Sequence, residues 1–274
     1  MPLPRQVLAT RYVAPLREGG SLPAIVEADD DGMYVVKFRG AGQGPKALIA
    51  ELVAGEIGRA LGLPVPEMVL IEIDLLLGRG EPDPEIQDLL EASVGVNVGI
   101  DFLPGALAYG AAADVDLDSA RAADIVWFDA FTSNVDRTPR NPNLLVWHRQ
   151  LWLIDHGAAL YLHHSWSDRF EENLVGAALP FAVIRDHMLL PVAGSLPEAD
   201  ARLASRITPA VVRSIVDQVP ADWLIGLSPF ASPERHREAY VAYLLRRLDA
   251  RQAFVDEAER ARQALAIAER RDAK

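Results

Sequence analysis

The sequence predicts an α+β chain in two lobes: a small β-rich N-terminal lobe with one helix, residues 1–103, and a larger, mostly helical C-terminal lobe, residues 104–274. Three observations lead there. Runs rich in β-branched and aromatic residues crowd the first third of the chain, helical periodicity dominates the remainder, and one hairpin interrupts the helical part. Strands first and helices later suit segregated layers rather than an alternating parallel sheet. The boundary falls near Asp101 to Gly105, where Pro104-Gly105 ends a strand.

Residues 6–38 read as β structure: QVLATRYVAPL and PAIVEA flank the turn Glu18-Gly19-Gly20-Ser21, and MYVVKF supplies a third short run. A loop from Gly40 leads to Pro45, a residue suited to the first turn of a helix. From Lys46 to Leu61 the apolar positions 48, 49, 52, 53, 57 and 61 follow a helical period, ended by Gly62 with Pro64 beyond it. Glu67 to Leu77 is the next expected strand, 79–91 reads as an acidic loop, and Ser93 to Leu103 is a strand. A helix over 117–133, the hairpin of 143–160 and several helices between about 170 and 272 complete the chain. Tyr240, Leu244 and Leu248 stripe a C-terminal helix whose outer face is charged, as in a docked helix. No internal repeat is visible.

Composition narrows the function. A net charge of −12 argues against a protein built to grip a nucleic acid backbone. The absence of cysteine excludes disulfides and thiolate catalysis. No apolar run reaches the length of a membrane span and the N-terminal segment lacks a signal peptide's apolar core, so a cytoplasmic protein with no membrane partner is expected. The richness in Ala, Arg, Leu and Asp suggests a bacterial source. The six histidines show no metal-binding spacing, and neither a G-x-S-x-G elbow nor a Walker P-loop occurs.

The chemistry concentrates in Asn134-V-D-R-T-P-R-N-P-N-L-L-Val146 and Leu151-W-L-I-D-H-Gly157. Together they place Asp136, Asn141 and Asn143 on a loop and deliver Asp155 at the far end of a hairpin, a set of hard oxygen donors suited to Mg2+ and phosphate. Upstream, Lys37 stands in an apolar strand and must reach solvent or an anion. Glu51, central in the following helix, is the preferred partner, with Glu56 second. Gly19, Gly20 and Ser21 lie where a phosphate-covering loop would run. Arg137, beside Asp136, can neutralise phosphate or fix the loop. A rival signal is Gly40-A-G-Q-Gly44 between strand and helix, the setting of a dinucleotide fingerprint, but Pro45 fills its sixth position and no βαβ rhythm follows.

In their order, VVKF, a helix with a central Glu, the N-x-D-R…N-P-N-L-L-V loop and L-I-D-H-G resemble the HipA-like kinases, and are similar to the broader set with phosphatidylinositol-kinase-like catalytic loops. The segment Leu61-G-L-P-V-Pro66 and the hinge-like Val98-G-I-D-F-L-P-Gly105 fit the same pattern. The resemblance spans roughly residues 15–165 and implies a two-lobed protein-kinase-like fold using ATP and Mg2+. It makes Lys37 the phosphate-binding lysine with Glu51 as its partner, Asp136 the catalytic base, and Asp155 the metal-binding acid of a Asp-His-Gly element. Asp101 and Phe102 fall at the nucleotide-binding hinge. The usual spacing selects Asn141 as the second metal ligand, whereas adjacency to the strand selects Asn143, which is preferred on that ground. Ser21 is the nearest counterpart of the serine that HipA autophosphorylates. HipA toxins are longer and carry an N-terminal subdomain directed at an antitoxin, so an antitoxin partner is not expected here. The reading is phosphotransfer from ATP to a hydroxyl, with protein Ser/Thr as acceptor. The alternatives are a nucleotide-binding pseudokinase or regulatory protein, and a Rossmann-type oxidoreductase.

Overall fold

Alternating apolar residues in the first strands close on themselves. In the computed structural model, which describes residues 4–16, 22–42, 44–79, 81–110, 115, 117–226 and 229–272, β1 (Arg5–Pro15), β2 (Ala24–Ala28), β3 (Met33–Lys37), β4 (Met68–Ile73) and β5 (Gly95–Asp101) form a closed barrel in the order β1-β2-β3-β5-β4. Only the β1–β4 pairing is parallel. Val7, Val26, Val36, Val69, Ile71 and Ile73 are buried in the barrel. The opposite face of β4 and β5, with Met68, Leu70, Val98 and Ile100, joins the main core of the molecule. The side-chain period of two thus divides one sheet between two cores.

Helix α1 (Gly44–Ala60) starts with Gly44 at φ +63° and Pro45 in its first turn, and ends where Gly62 takes φ +75°. Leu63 N–H closes the end on Gly58 O at 2.9 Å. Every residue from Leu48 to Gly58 is buried, because α1 packs on β4 and β5 on one side and on α6 (Pro209–Val216) and α7 (Ala221–Leu224) on the other. It is therefore a central helix rather than a surface one, and the lobes share it.

The acidic stretch expected to be a loop holds α2 (Pro84–Ala92). Asp83 caps it by accepting from Glu85 N–H at 3.0 Å, and Ile86 and Leu90 enter the barrel core. The i, i+4 apolar pair outweighs the surrounding acids, which face solvent. α2 also explains Gly40: a Cβ there would lie 2.8 Å from the Ala92 carbonyl carbon, and Gly40 N–H donates to Ser93 Oγ at 3.1 Å. Residues 40–44 do open a helix, but the strand before them pairs antiparallel on both sides. The βαβ context of a dinucleotide fold is missing, and the Rossmann reading falls with it.

Beyond β5 the chain crosses at Phe102 to β6 (Leu107–Ala108), which pairs with the hairpin β7 (Leu144–Trp147) and β8 (Gln150–Leu153). The helical lobe is built on α3 (Ser119–Thr132), capped by Asp118 and ended by Ser133 at φ +56°. Around it lie α5 (Leu196–Leu203), α8 (Pro233–Asp249) and α9 (Gln252–Asp272), with α4 (Phe170–Val175) against α8. Tyr240 and Leu244 are buried as the docked-helix reading expects. The lobes are tied by Trp223 Nε1 on Val96 O at 2.9 Å and Arg206 Nη1 on Leu61 O at 2.7 Å. No helix among the described residues is long and apolar enough to cross a membrane.

Candidate active site

A cleft of about 490 Å3 lies between the barrel and the β6–β8 sheet. Its walls are apolar: Val35 and Ile100 from the barrel, Leu145 and Ile154 from the hairpin, and Pro66. Lys37 and Asp155 line it too, as do Asp101, Phe102 and Leu103 where the chain passes between lobes. The N–H groups of Asp101 and Phe102 are spent on Glu67 O (2.8 Å) and Met33 O (3.0 Å). These two residues therefore border the cleft without a free amide. Gly19, Gly20 and Ser21 lie outside the described residues.

Lys37, at the end of β3, is pulled into the molecule by its strand and kept charged by its surroundings. Burial opposes its charge, but Glu51, Asp155 and Asp136 together hold its pKa above the ordinary value. Its ion pair is with Asp155 Oδ1 at 2.8 Å, not with Glu51 as the sequence suggested. Glu51 sits 1 % exposed in the middle of α1, and its Oε1 has no hydrogen-bond partner among the described residues. Burial pushes the Glu51 carboxyl up to about 7, against the pull of Lys37. Asp155 goes the other way: burial disfavours its charge, yet the ammonium of Lys37 holds its pKa below the usual carboxylate range. Glu56 points elsewhere and pairs with Arg59 at 3.3 Å.

Asp136 lies on the loop after α3. Asn141 Nδ2 donates to Asp136 Oδ2 at 2.6 Å, while Asn143 Nδ2 reaches the same oxygen and Asp136 O at 3.4 Å each. Asn141 is exposed. Asn143 is buried, takes φ +49° and accepts from Ile154 N–H at 3.1 Å through its backbone carbonyl. That bond sets the start of β7 against the end of β8, beside Asp155, which also takes a positive φ of +55°. Short polar Asn and Asp are the non-glycine residues best able to adopt this conformation.

Arg137 does not face the cleft. Its side chain is fully buried and reaches Asp129 Oδ2 at 2.5 Å, Asn143 O at 2.5 Å, Ile154 O at 3.3 Å and His156 Nδ1 at 3.2 Å. Of the two roles open to it in the sequence, fixing the loop is the one its position allows, because no phosphate can approach a sealed guanidinium. Sequence reading missed Asp129 and His187, which pair at 2.8 Å. The signal available for Asp129 was an acid inside the apolar run Ile125-V-W-F-D-A-Phe131; His187 carried none. Of the other histidines, His163 is buried with Nδ1 3.0 Å from Tyr240 OH, His148 and His164 are exposed, and no cluster of His, Asp or Glu among the described residues has the arrangement of a metal site.

A barrel lobe and a helical lobe, with a half-buried lysine from the first paired to an acid from the second on the cleft between them, is the arrangement of a kinase. The crystal structure of the Helicobacter pylori proinflammatory kinase CtkA shares the fold, at 16% identity and a TM-score of 0.55, covering 96% of this chain and 98% of that one. A Golgi casein kinase structure is a more distant likeness, at 12% identity and a TM-score of 0.46, over 93% of this chain and 73% of that one. No curated protein matches. The family described as HipA-like kinase matches residues 10–257, and the chain belongs to that family. It is a kinase-type phosphotransferase.

Proposed function

We propose that this kinase transfers the γ-phosphate of ATP, with Mg2+, to a hydroxyl group, and that its acceptor is a protein serine or threonine. The observation that carries the reading is the Lys37–Asp155 ion pair at 2.8 Å on the cleft wall, with the carboxylates of Glu51 and Asp136 also acting on the Lys37 ammonium. Asp155 and Asp136, with the amide oxygens of Asn141 and Asn143 alongside, are hard donors of the kind taken by a divalent ion that shares its shell with phosphate. The apolar walls at Val35, Ile100, Leu145 and Ile154 suit a flat base, and the volume lies within the range of small-molecule sites. With the amides of Asp101 and Phe102 already bonded, Leu103 supplies the first hinge N–H without a partner among the described residues.

Bound Mg2+ would supply neutralisation of the charge on the phosphates during transfer. Lys37 binds phosphate oxygens and exchanges Asp155 for Glu51 as its carboxylate partner, which frees Asp155 for the metal. Glu51 Oε1, buried and unpartnered, is the acceptor this exchange requires. Asp136 orients the acceptor hydroxyl and takes up its proton. Asn141 is the better fit to the second metal position: it is exposed and already aimed at the Asp136 carboxylate, whereas Asn143 serves the turn into β7. Catalysis of this kind is positioning and charge neutralisation, without covalent chemistry by the protein.

Asp136→Asn tests the reading. Turnover of MgATP, followed as ADP release and as transfer of labelled phosphate, is expected to fall on the order of 1,000-fold, the scale of a lost general base. ATP affinity is expected to stay, because Asp136 does not line the cleft. Undiminished transfer by this variant would refute the assignment.

A further inference from the structure

Beneath the cleft, one carboxylate collects the loops that bear the reacting groups. Asp129, fully buried on α3, accepts at Oδ2 from Arg137 Nε (2.5 Å) and His187 Nε2 (2.8 Å). At Oδ1 it accepts from Asn134 Nδ2 (2.9 Å) and Arg137 Nη2 (3.4 Å). A carboxylate offers about four lone-pair sites, and all are used. We infer that Asp129 is the positioning residue of the transfer site, the buried anion through which Asp136 and Asp155 are held in register. This rests on the roles given to those two residues above.

The links run outward in both directions. Asn134, held by Asp129, accepts Asp136 N–H on its own Oδ1 at 3.1 Å and so sets the backbone of the residue assigned as base. Arg137, held by Asp129, donates from Nη1 to Asn143 O and Ile154 O and from Nη2 to His156 Nδ1. With Nε and Nη2 also on Asp129, the five donors of the guanidinium are accounted for. The carbonyls it grips belong to Asn143, at a positive φ, and to Ile154, immediately before Asp155 at another. Two left-handed non-glycine residues persist where the surroundings over-determine them.

His187 completes the cluster from a segment far along the chain. Its Nδ1 accepts from Leu189 N–H at 3.0 Å, which places the ring proton on Nε2, facing Asp129. Met188 N–H donates to Arg137 O at 2.9 Å, so the same segment clasps the loop twice. Burial works against a charge on Asp129, but Arg137 and His187 hold its pKa far below the ordinary range, so the anion persists at any working pH. A residue kept only for packing would not need a fixed charge with every acceptor site filled from the catalytic loop and the His187 segment.

The experiment is a double-mutant cycle between Asp129→Asn and Asp136→Asn in the full chain, read as ADP release from MgATP and as ATP affinity in MgCl2 and in EDTA. Asp129→Asn alone is expected to lower turnover on the order of 100-fold, the cost of displacing reacting groups by about 1 Å. In the Asp136→Asn background the same change is expected to cost about tenfold or less, because the share that acts through Asp136 is already lost and only the share through Asp155 remains. The tightening of ATP by MgCl2 is expected to disappear with Asp129→Asn while affinity in EDTA stays. A merely structural role would instead give independent, multiplying losses and leave the Mg2+ increment intact, and either result overturns the inference. If Asp136→Asn retains turnover, the phosphotransfer assignment has failed, and the Mg2+ increment in Asp129→Asn still decides the positioning role. If Asp129→Asn does not fold, His187→Gln takes its place. It removes one hydrogen bond to a charged group and is expected to lower turnover about tenfold; unchanged turnover would overturn the inference.

Discussion

Two charge clusters lie one beneath the other in this kinase, and they are built on opposite rules. The lower one, Asp129 with Arg137 and His187, is sealed: the Asp129 and Arg137 side chains have no exposure and His187 has 2 %. Its acceptors and donors are matched within the protein. The upper one, Lys37 with Asp155, Glu51 and Asp136, opens on the cleft: Asp155 is 42 % exposed, Glu51 has an orphaned oxygen, and the carboxylates outnumber the cation. Where a cluster is closed and satisfied it can fix geometry, because nothing from solvent competes for it. Where it is open and unbalanced it stores unmet demand that a ligand can fill.

Breaking one member of each cluster separates these roles most sharply. Arg137→Met leaves Asp129 buried without its main partner and is expected to cost about 3–5 kcal/mol, the usual penalty for half a buried pair. Thermal denaturation would register a Tm lower by roughly 10 °C for a chain of this size. Lys37→Met should change stability by about 1 kcal/mol or less, because Asp155 can turn to solvent and Glu51 can take a proton. It should nevertheless abolish measurable turnover and weaken ATP binding. If the two variants lose stability equally, the distinction between a closed and an open cluster does not hold.

The next contrast lies within the catalytic loop itself. Asn141→Ala is expected to lower Mg2+-dependent turnover about 100-fold by removing a ligand and releasing Asp136. Asn143→Gly should stay within about threefold of the parent, because glycine adopts the positive φ at no steric cost. Arg137 grips only the carbonyl of residue 143, which glycine retains. Titration of ATP affinity with MgCl2 in both variants checks the assignment. The reverse order of effects would return the metal to Asn143.

How much of this was legible in the sequence follows from distance along the chain. Asp136, Asn141, Asn143 and Asp155 are neighbours through one hairpin, so their meeting could be read from a loop and two short strands. Lys37 could be placed in the cleft but not given its partner: Glu51 and Asp155 both lie within its reach, and only packing selects the second. His187 lies 58 positions beyond Asp129, in a segment of short turns with no periodicity, so nothing local announces their bond. Helix α2 hid because five acids mask the pair Ile86 and Leu90 that seat it. Gly40 to Gly44 misled for the opposite reason: a strand–glycine–helix string looks alike whether its strand pairs parallel or antiparallel.

The smallest effect expected is also the most informative about the open cluster. Glu51 is pushed up to about 7 by its burial, from the ordinary 4.5. The folded chain therefore binds a proton there that the unfolded chain has lost, and between those two values stability falls as pH rises. Activity should move the other way, since Lys37 can exchange Asp155 for Glu51 only when Glu51 is ionised. Turnover is then expected to climb as pH passes through about 7, and Glu51→Gln should flatten that limb and leave a low, pH-independent rate. Glu56, raised to about 7 chiefly by burial as well, is the internal control. It adds to the same stability slope but faces Arg59 and not the cleft, so Glu56→Gln should alter the denaturation profile and leave the activity limb in place. A pH–rate profile unchanged by Glu51→Gln would mean that Lys37 keeps Asp155 throughout, and the upper cluster would then be as fixed as the lower.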